Sequence, residues 1–164
     1  MTYFITFACY GAHSHGDESG SVDRHHNVFG SRLAEPSPER VAVKRQQMDQ
    51  APYYLDSGRR TTVLGAVRQV CLYRSWVLLA AHVRTNHVHV VVETDVRSAI
   101  AMNAFKAYAS RSLNRSGSDE LNRKRWARHG STRWLWKAED VQAAIQYVVS
   151  RQGEPMEVYL GRGL

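Results

Sequence analysis

From Trp76 to Glu93 the chain reads Trp-Val-Leu-Leu-Ala-Ala-His-Val-Arg-Thr-Asn-His-Val-His-Val-Val-Val-Glu. Two apolar runs joined at Arg84-Thr85-Asn86 predict a pair of adjacent strands. Side chains alternate along a strand, so His87, His89 and Val91 share one face while Val88, Val90 and Val92 take the other. The valines require a core on their side. The two imidazoles then stand next to each other on the opposite face, where they could hold one metal ion. A bare His-x-His is more often an ordinary pair on a half-exposed strand. Its meaning depends on what the rest of the chain builds around it.

Tyr3 to Tyr10 is rich in aromatic and β-branched residues and predicts a buried strand. Gly11 to Pro38 has no sustained period and reads as a long loop, the kind that in a compact domain serves function or moves. It carries His13-Ser14-His15 and His25-His26, rival histidine pairs with no strand to fix their spacing. A short polar helix is expected over Glu39 to Gln50. Thr61 to Arg74 places Val63, Leu64, Val67, Val70 and Cys71 on one helical face, with Asp56 or Ser57 as the cap. After the strand pair, a second helix over Val96 to Asn114 carries the stripe Ala99, Met102, Phe105, Ala109 and Leu113. Arg133-Trp-Leu-Trp-Lys137 supplies a further strand, and Glu139 to Arg151 a last helix. The order is that of an α+β, ferredoxin-like split β-α-β plan. An antiparallel sheet would carry its helices on one face, leave the other face open, and be followed by a C-terminal, tyrosine-bearing helix.

At 164 residues the chain suffices for one core, so residues 1–164 are expected to form a single domain. Cys9 and Cys71 lie in apolar runs without CxxC spacing. That excludes a zinc ribbon and predicts buried thiols in a reducing compartment. There is no run of 18 apolar residues and no basic region ahead of an apolar one at the N-terminus, so a cytoplasmic protein is expected.

The net charge of +7 favours a polyanionic partner. It is concentrated in one stretch. Lys106, Arg111, Arg115, Arg123, Lys124, Arg125, Arg128, Arg133 and Lys137 face only Asp119 and Glu120 in opposition, a local balance equal to that of the whole chain. Trp126, His129, Trp134 and Trp136 are interleaved with them. Cations for phosphates and flat rings for bases are what single-stranded or hairpin nucleic acid requires. The competing reading has the charges solvating a loop while the tryptophans close the core.

In the last helix the apolar stripe is Val141, Ala144, Ile145, Val148 and Val149, and Tyr147 falls about 140° from its centre. This predicts a tyrosine projecting from the helix's buried face, with its hydroxyl available for chemistry. A phenol can attack phosphorus when a divalent cation draws charge off the phosphate. Tyr108 lies beside the stripe of its own helix and is expected to pack.

The Asn86-His-Val-His-Val-Val-Val92 run resembles the His-hydrophobic-His signature of HUH single-strand endonucleases. The Phe105 to Asn114 helix and the Tyr147-Val-Val-Ser-Arg-Gln-Gly153 segment resemble the single-tyrosine transposases, the small insertion-sequence enzymes and their REP-associated relatives. The resemblance spans nearly the whole chain. It implies a metal-dependent tyrosine transposase, an endonuclease and strand-transferase acting on single-stranded DNA with hairpin or palindromic elements. Mg²⁺ or Mn²⁺ would be bound by His87 and His89. Tyr147 would attack the scissile phosphate, giving a 5′-phosphotyrosine and a free 3′-hydroxyl, and DNA would be gripped by Lys106, Arg111, Arg115, Arg123, Lys124, Arg125, Arg128 and Arg133. It also implies a homodimer, in which the tyrosine helix serves either its own site or the partner's.

One departure stands out. In the best-known relatives a glutamine one turn after the tyrosine completes the metal site, whereas here that place is Arg151 and the glutamine is Gln152. In a straight helix Gln152 would point about 140° away from Tyr147. Gly153 could end the helix and let Gln152 turn back as third ligand. Water or Asp17 are the alternatives. The displaced glutamine also keeps open a non-catalytic, domesticated hairpin-binding protein, and a nuclease using water as nucleophile is a further option.

Overall fold

Along β1 (Thr2–Ala8), Tyr3, Ile5 and Phe7 face one side while Phe4 and Thr6 face the other. The same two-residue period sorts the neighbouring strands into two packed faces. The computed structural model describes residues 1–12 and 48–163. After β1 come α1 (Ser57–Tyr73), β2 (Val77–Val83), β3 (His87–Glu93), α2 (Ser98–Ser116), β4 (Ser131–Leu135), α3 (Ala138–Ser150) and β5 (Glu157–Leu160). The sheet order is β4-β1-β3-β2-β5 and each neighbouring pair is antiparallel. The first four strands and two helices are the expected α+β, ferredoxin-like arrangement. The strand β5 was not foreseen. It has four residues, and it adds to the outer edge of β2.

The larger core lies between the sheet and α1 and α2. Val63, Val67 and Val70 of α1 and Phe105, Ala109 and Leu113 of α2 meet Ile5, Phe7, Val88, Val90 and Val92. Each valine, leucine, isoleucine or phenylalanine buried in full contributes about 1.5–3 kcal/mol, so this layer dominates the favourable side of folding. Asp56 caps α1 by accepting from the Arg59 N–H at 2.8 Å. Gly117, at φ 68°, ends α2 in the left-handed conformation that glycine adopts without strain. Cys9 and Cys71 are buried in this layer, and burial pushes both thiols up to about 12.

The opposite face is not left open. The helix α3 lies across it, packing Ala144, Ile145 and Val148 on Phe4, Ala80, Val91 and Leu135. Those apolar side chains on the far side of the sheet leave it too hydrophobic to stay bare.

One irregularity matters for the site. Leu78 pairs with Val92 and Ala80 with Val91, so Leu79 is an extra residue in β2. Leu78 therefore joins the larger core, whereas Ala80 and, two residues on, His82 face α3.

The polar helix expected over Glu39 to Gln50 lies almost wholly outside the described residues, as do His13, His15, Asp17, His25 and His26. No helix among the described residues is long and apolar enough to cross a membrane.

Candidate active site

The turn 84–86 closes with the Arg84 N–H donating to the His87 carbonyl at 2.9 Å, which starts β3 at His87. Alternation then directs His87 and His89 to the α3 face, with ring centroids 4.7 Å apart. Nδ1 of His87 is 2.7 Å from Asn86 Oδ1, and Nδ1 of His89 is 2.7 Å from Thr6 Oγ1 of the adjacent strand. With Nδ1 of each ring engaged on the protein, Nε2 is the nitrogen a metal would take.

His89 is only 6% exposed. Burial, reinforced by the neighbouring His87, holds its pKa well below the ordinary histidine value, against the opposing effect of Gln152. A neutral imidazole is the form that ligates.

The helix α3 ends at Ser150, and Arg151 and Gly153 (φ +75°) turn the chain back. Gln152 thereby reaches the site that a continuing helix would deny it. Its Oε1 lies 3.2 Å from His89 Nε2, and its Nε2 donates to the Tyr147 carbonyl at 3.2 Å. The Tyr147 ring stands edge-on to His89 at 5.8 Å and to Phe4 at 5.9 Å. His89 thus has His87, Gln152 and the Tyr147 ring as neighbours within one chain.

Tyr147 does not project from the helix as the stripe suggested. Only Ala144, Ile145 and Val148 of that stripe are buried, while Val141 and Val149 are half-buried. The true buried face is rotated towards Tyr147, which sits on its flank at about 100° and is half-buried itself.

Two imidazole nitrogens and an amide oxygen suit a divalent cation of intermediate hardness. His89 Nε2 and Gln152 Oε1 face each other across 3.2 Å, close enough for one cation to take both, so the donor set fits. Among the described residues there is no metal-holding group of three or more His, Cys, Asp and Glu side chains.

One residue of the site escaped sequence reasoning. His82 is fully buried, is the cross-strand partner of His89, and touches both ends of the segment carrying Gln152. Its Nδ1 is 2.9 Å from the Val148 carbonyl and its Nε2 accepts from the Met156 N–H at 3.0 Å. The two contacts fix a neutral ring with Nδ1 protonated. Burial, with Arg84 nearby, lowers its pKa despite the Val148 carbonyl. Arg84, just past the end of β2, donates to the Glu154 carbonyl at 3.0 Å. The signal in the sequence was a lone histidine inside an apolar run.

The basic stretch divides. Arg125 is 7% exposed and pairs with Asp119 at 3.0 Å and Asn114 at 2.8 Å. Lys106 donates to the carbonyls of Ala127 and His129, and Arg123 to Gln50 and Ala51. Lys124 pairs with Asp49. All four make contacts within the fold; Arg125, being buried, is out of reach of a phosphate, which corrects its place among the DNA contacts, whereas Lys124 stays exposed. Arg111, Arg115 and Arg128 are exposed, and Arg133 is half-buried, 4.0 Å from Asp140. Trp126 packs on Phe7 and donates to Ser110 Oγ at 2.9 Å, a structural role. Tyr108 packs partly against the larger core, as expected.

Comparison with known proteins adds an independent line. Residues 52–148 match the family described as Transposase IS200 like. A search of curated proteins gave no significant match. Among solved structures, that of a REP-associated tyrosine transposase bound to a REP hairpin is similar at 12% identity and a TM-score of 0.49, over 92% of this chain and 65% of that one. The chain thus spans somewhat less than two thirds of that protein's length. With more than half of its residues matching the family, the chain belongs to the IS200-like transposases.

Proposed function

We propose that the protein cuts and rejoins single-stranded DNA carrying hairpins, with Tyr147 as nucleophile. The observation that supports this best is His89, which has Gln152 Oε1 3.2 Å from its Nε2 and the Tyr147 ring 5.8 Å from its own. His87, His89 and Gln152 would hold Mg²⁺ or Mn²⁺, which when bound neutralises charge on the scissile phosphate. The Tyr147 ring lies 5.8 Å from that of His89, so the nucleophile and the proposed metal ligands share one neighbourhood. Its phenolic oxygen forms the new bond to phosphorus while its proton passes to water, and the departing 3′-oxygen takes a proton up from water. The bond to the 3′-oxygen breaks, leaving a 5′-phosphotyrosine and a 3′-hydroxyl. The reverse attack by a 3′-hydroxyl reseals a strand, because the phosphotyrosine conserves the bond.

The residues help in other ways. Thr6 and Asn86 orient the two imidazoles, and Phe4 shields one side of the nucleophile's ring from water. His82 and Arg84 fix the segment 148–156 on which Gln152 rides. The exposed Arg111, Arg115 and Arg128 are the candidate phosphate contacts.

The test is covalent capture. Labelled hairpin oligonucleotides with single-stranded flanks are incubated with and without Mn²⁺ and resolved under denaturing conditions. A metal-dependent adduct that vanishes in Tyr147→Phe is expected. An adduct of equal yield in that variant refutes the assignment of the nucleophile. Hairpin binding with no adduct, no cleavage and no metal site would instead identify a non-catalytic binding protein.

A further inference from the structure

Two tryptophans stand largely in water. Trp134 is 55% and Trp136 77% exposed, on or just past β4, an edge strand of the sheet. Their rings stack on each other, with centroids 5.6 Å apart and planes inclined by 23°. Tryptophan seldom stays so exposed without a partner, because each ring keeps a large apolar area in water.

Trp134 pairs with Tyr3, whose side chain belongs to the α1/α2 layer, whereas Arg133 pairs with Phe4 beside Tyr147. By alternation Trp134 rises on the side of the sheet away from the candidate nucleophile.

We infer that Trp134 and Trp136 form a stacking platform for unpaired nucleobases, outside the candidate active site and at the sheet edge. The inference rests on the reading that this chain binds single-stranded DNA. A centroid separation of 5.6 Å is offset stacking and leaves no slot between the rings, so a base would extend the stack on an outer face. Every base presents a π-face, which makes such contacts tolerant of sequence.

Charge selects DNA over a second copy of the chain. Lys137 directly follows Trp136 and is exposed, as is Arg128 just ahead of β4. A phosphate backbone meets these cations favourably, while pairing two β4 edges would set the same cations against each other. Binding here lies apart from the chemistry, so the platform contributes grip rather than rate.

The experiment uses the whole chain in EDTA, with fluorescence anisotropy on three probes: a blunt hairpin, the same hairpin with a thymidine tail, and the same with an abasic tail. Wild type is expected to bind the thymidine tail more tightly than the abasic one. In Trp134→Ala/Trp136→Ala that preference falls by about fivefold or more. Blunt-hairpin affinity and melting temperature stay unchanged, since neither ring is in the core. Absence of any tail preference in wild type overturns the platform and leaves the hairpin reading intact. An equal loss on all three probes also overturns it, as does a self-association of wild type that the double variant abolishes. No binding to any probe overturns the platform and the DNA-binding reading together.

Discussion

Replacing His82 by leucine tests how the site is held together. The ring is fully buried, receives the Met156 N–H and donates to the Val148 carbonyl. Leucine fills comparable space and can do neither. Two polar backbone groups then lose their ring partner, at roughly 1–3 kcal/mol each where water cannot replace it, so about 2–6 kcal/mol is expected. For a chain of this length that lowers the melting temperature by about 4–24 °C. Asparagine in the same place can still donate to Val148 through its amide nitrogen and should recover about half of the loss.

The pH dependence gives a second signature. His82 and His89 both have folded pKa values below the ordinary histidine value. As pH falls through about 6.5, the unfolded chain binds these protons first. Stability is therefore complete above that value and declines below it, by up to about 1.4 kcal/mol per pH unit for each ring until its folded pKa is reached. His82→Leu starts lower at pH 8 but loses stability less steeply towards pH 5. Urea unfolding followed by circular dichroism across that range measures both effects. A leucine variant within 1 kcal/mol of wild type, with an unchanged pH slope, would refute the reasoning about this ring.

Other substitutions separate chemistry from folding. Tyr147→Phe keeps the ring contacts with Phe4 and His89, so the unfolding free energy changes by about 1 kcal/mol or less while covalent capture of DNA disappears. Gln152→Ala should weaken Mn²⁺ binding by about tenfold or more, read by calorimetric titration without DNA, since it removes one donor of the proposed set. Asp119→Ala should cost about 3–5 kcal/mol, seen in urea unfolding, because it strands the buried Arg125 and breaks contacts to Tyr53 and Arg59. Burial acts to raise the Asp119 pKa, but hydrogen bonds from Tyr53, Arg59 and Arg125 outweigh it and hold it below the usual value. Its contribution is present above about pH 4 and is lost as pH falls through the lowered folded value.

The β2–β3 hairpin and the face of His87 and His89 were legible because a period of two leaves little freedom once one face carries three valines. The helices α1 and α2 were legible from their apolar spacing, with boundaries off by up to four residues. What failed did so for physical reasons. Hydrophobicity alone counts Val141 and Val149 as fully as Val148, though they border solvent, and that misplaced the buried face of α3. Composition counts a cation without knowing whether a carbonyl or an acid has already claimed it, as with Lys106 and Arg125. Gln152 could be assigned only as a possibility, because its direction depends on where α3 stops. The strand β5 gains its order by pairing with β2, a contact remote in sequence.

The extra residue in β2 bears on how chains of this architecture should be matched. Counting forward from α1 in steps of two, Leu78, Ala80 and His82 would share a face, and His82 would fall among the core valines. Counting back from the turn, His82 lies opposite His89 whatever precedes it. Leu79 is thus one residue of slack: a regular ladder could omit it and keep both faces, with Ala80 directly following Leu78 opposite Val91 and Val92. The distance from α1 to the buried histidine can vary by one between such chains, while its distance from the turn cannot. Equivalent residues in this strand are best sought by numbering from the hairpin outward.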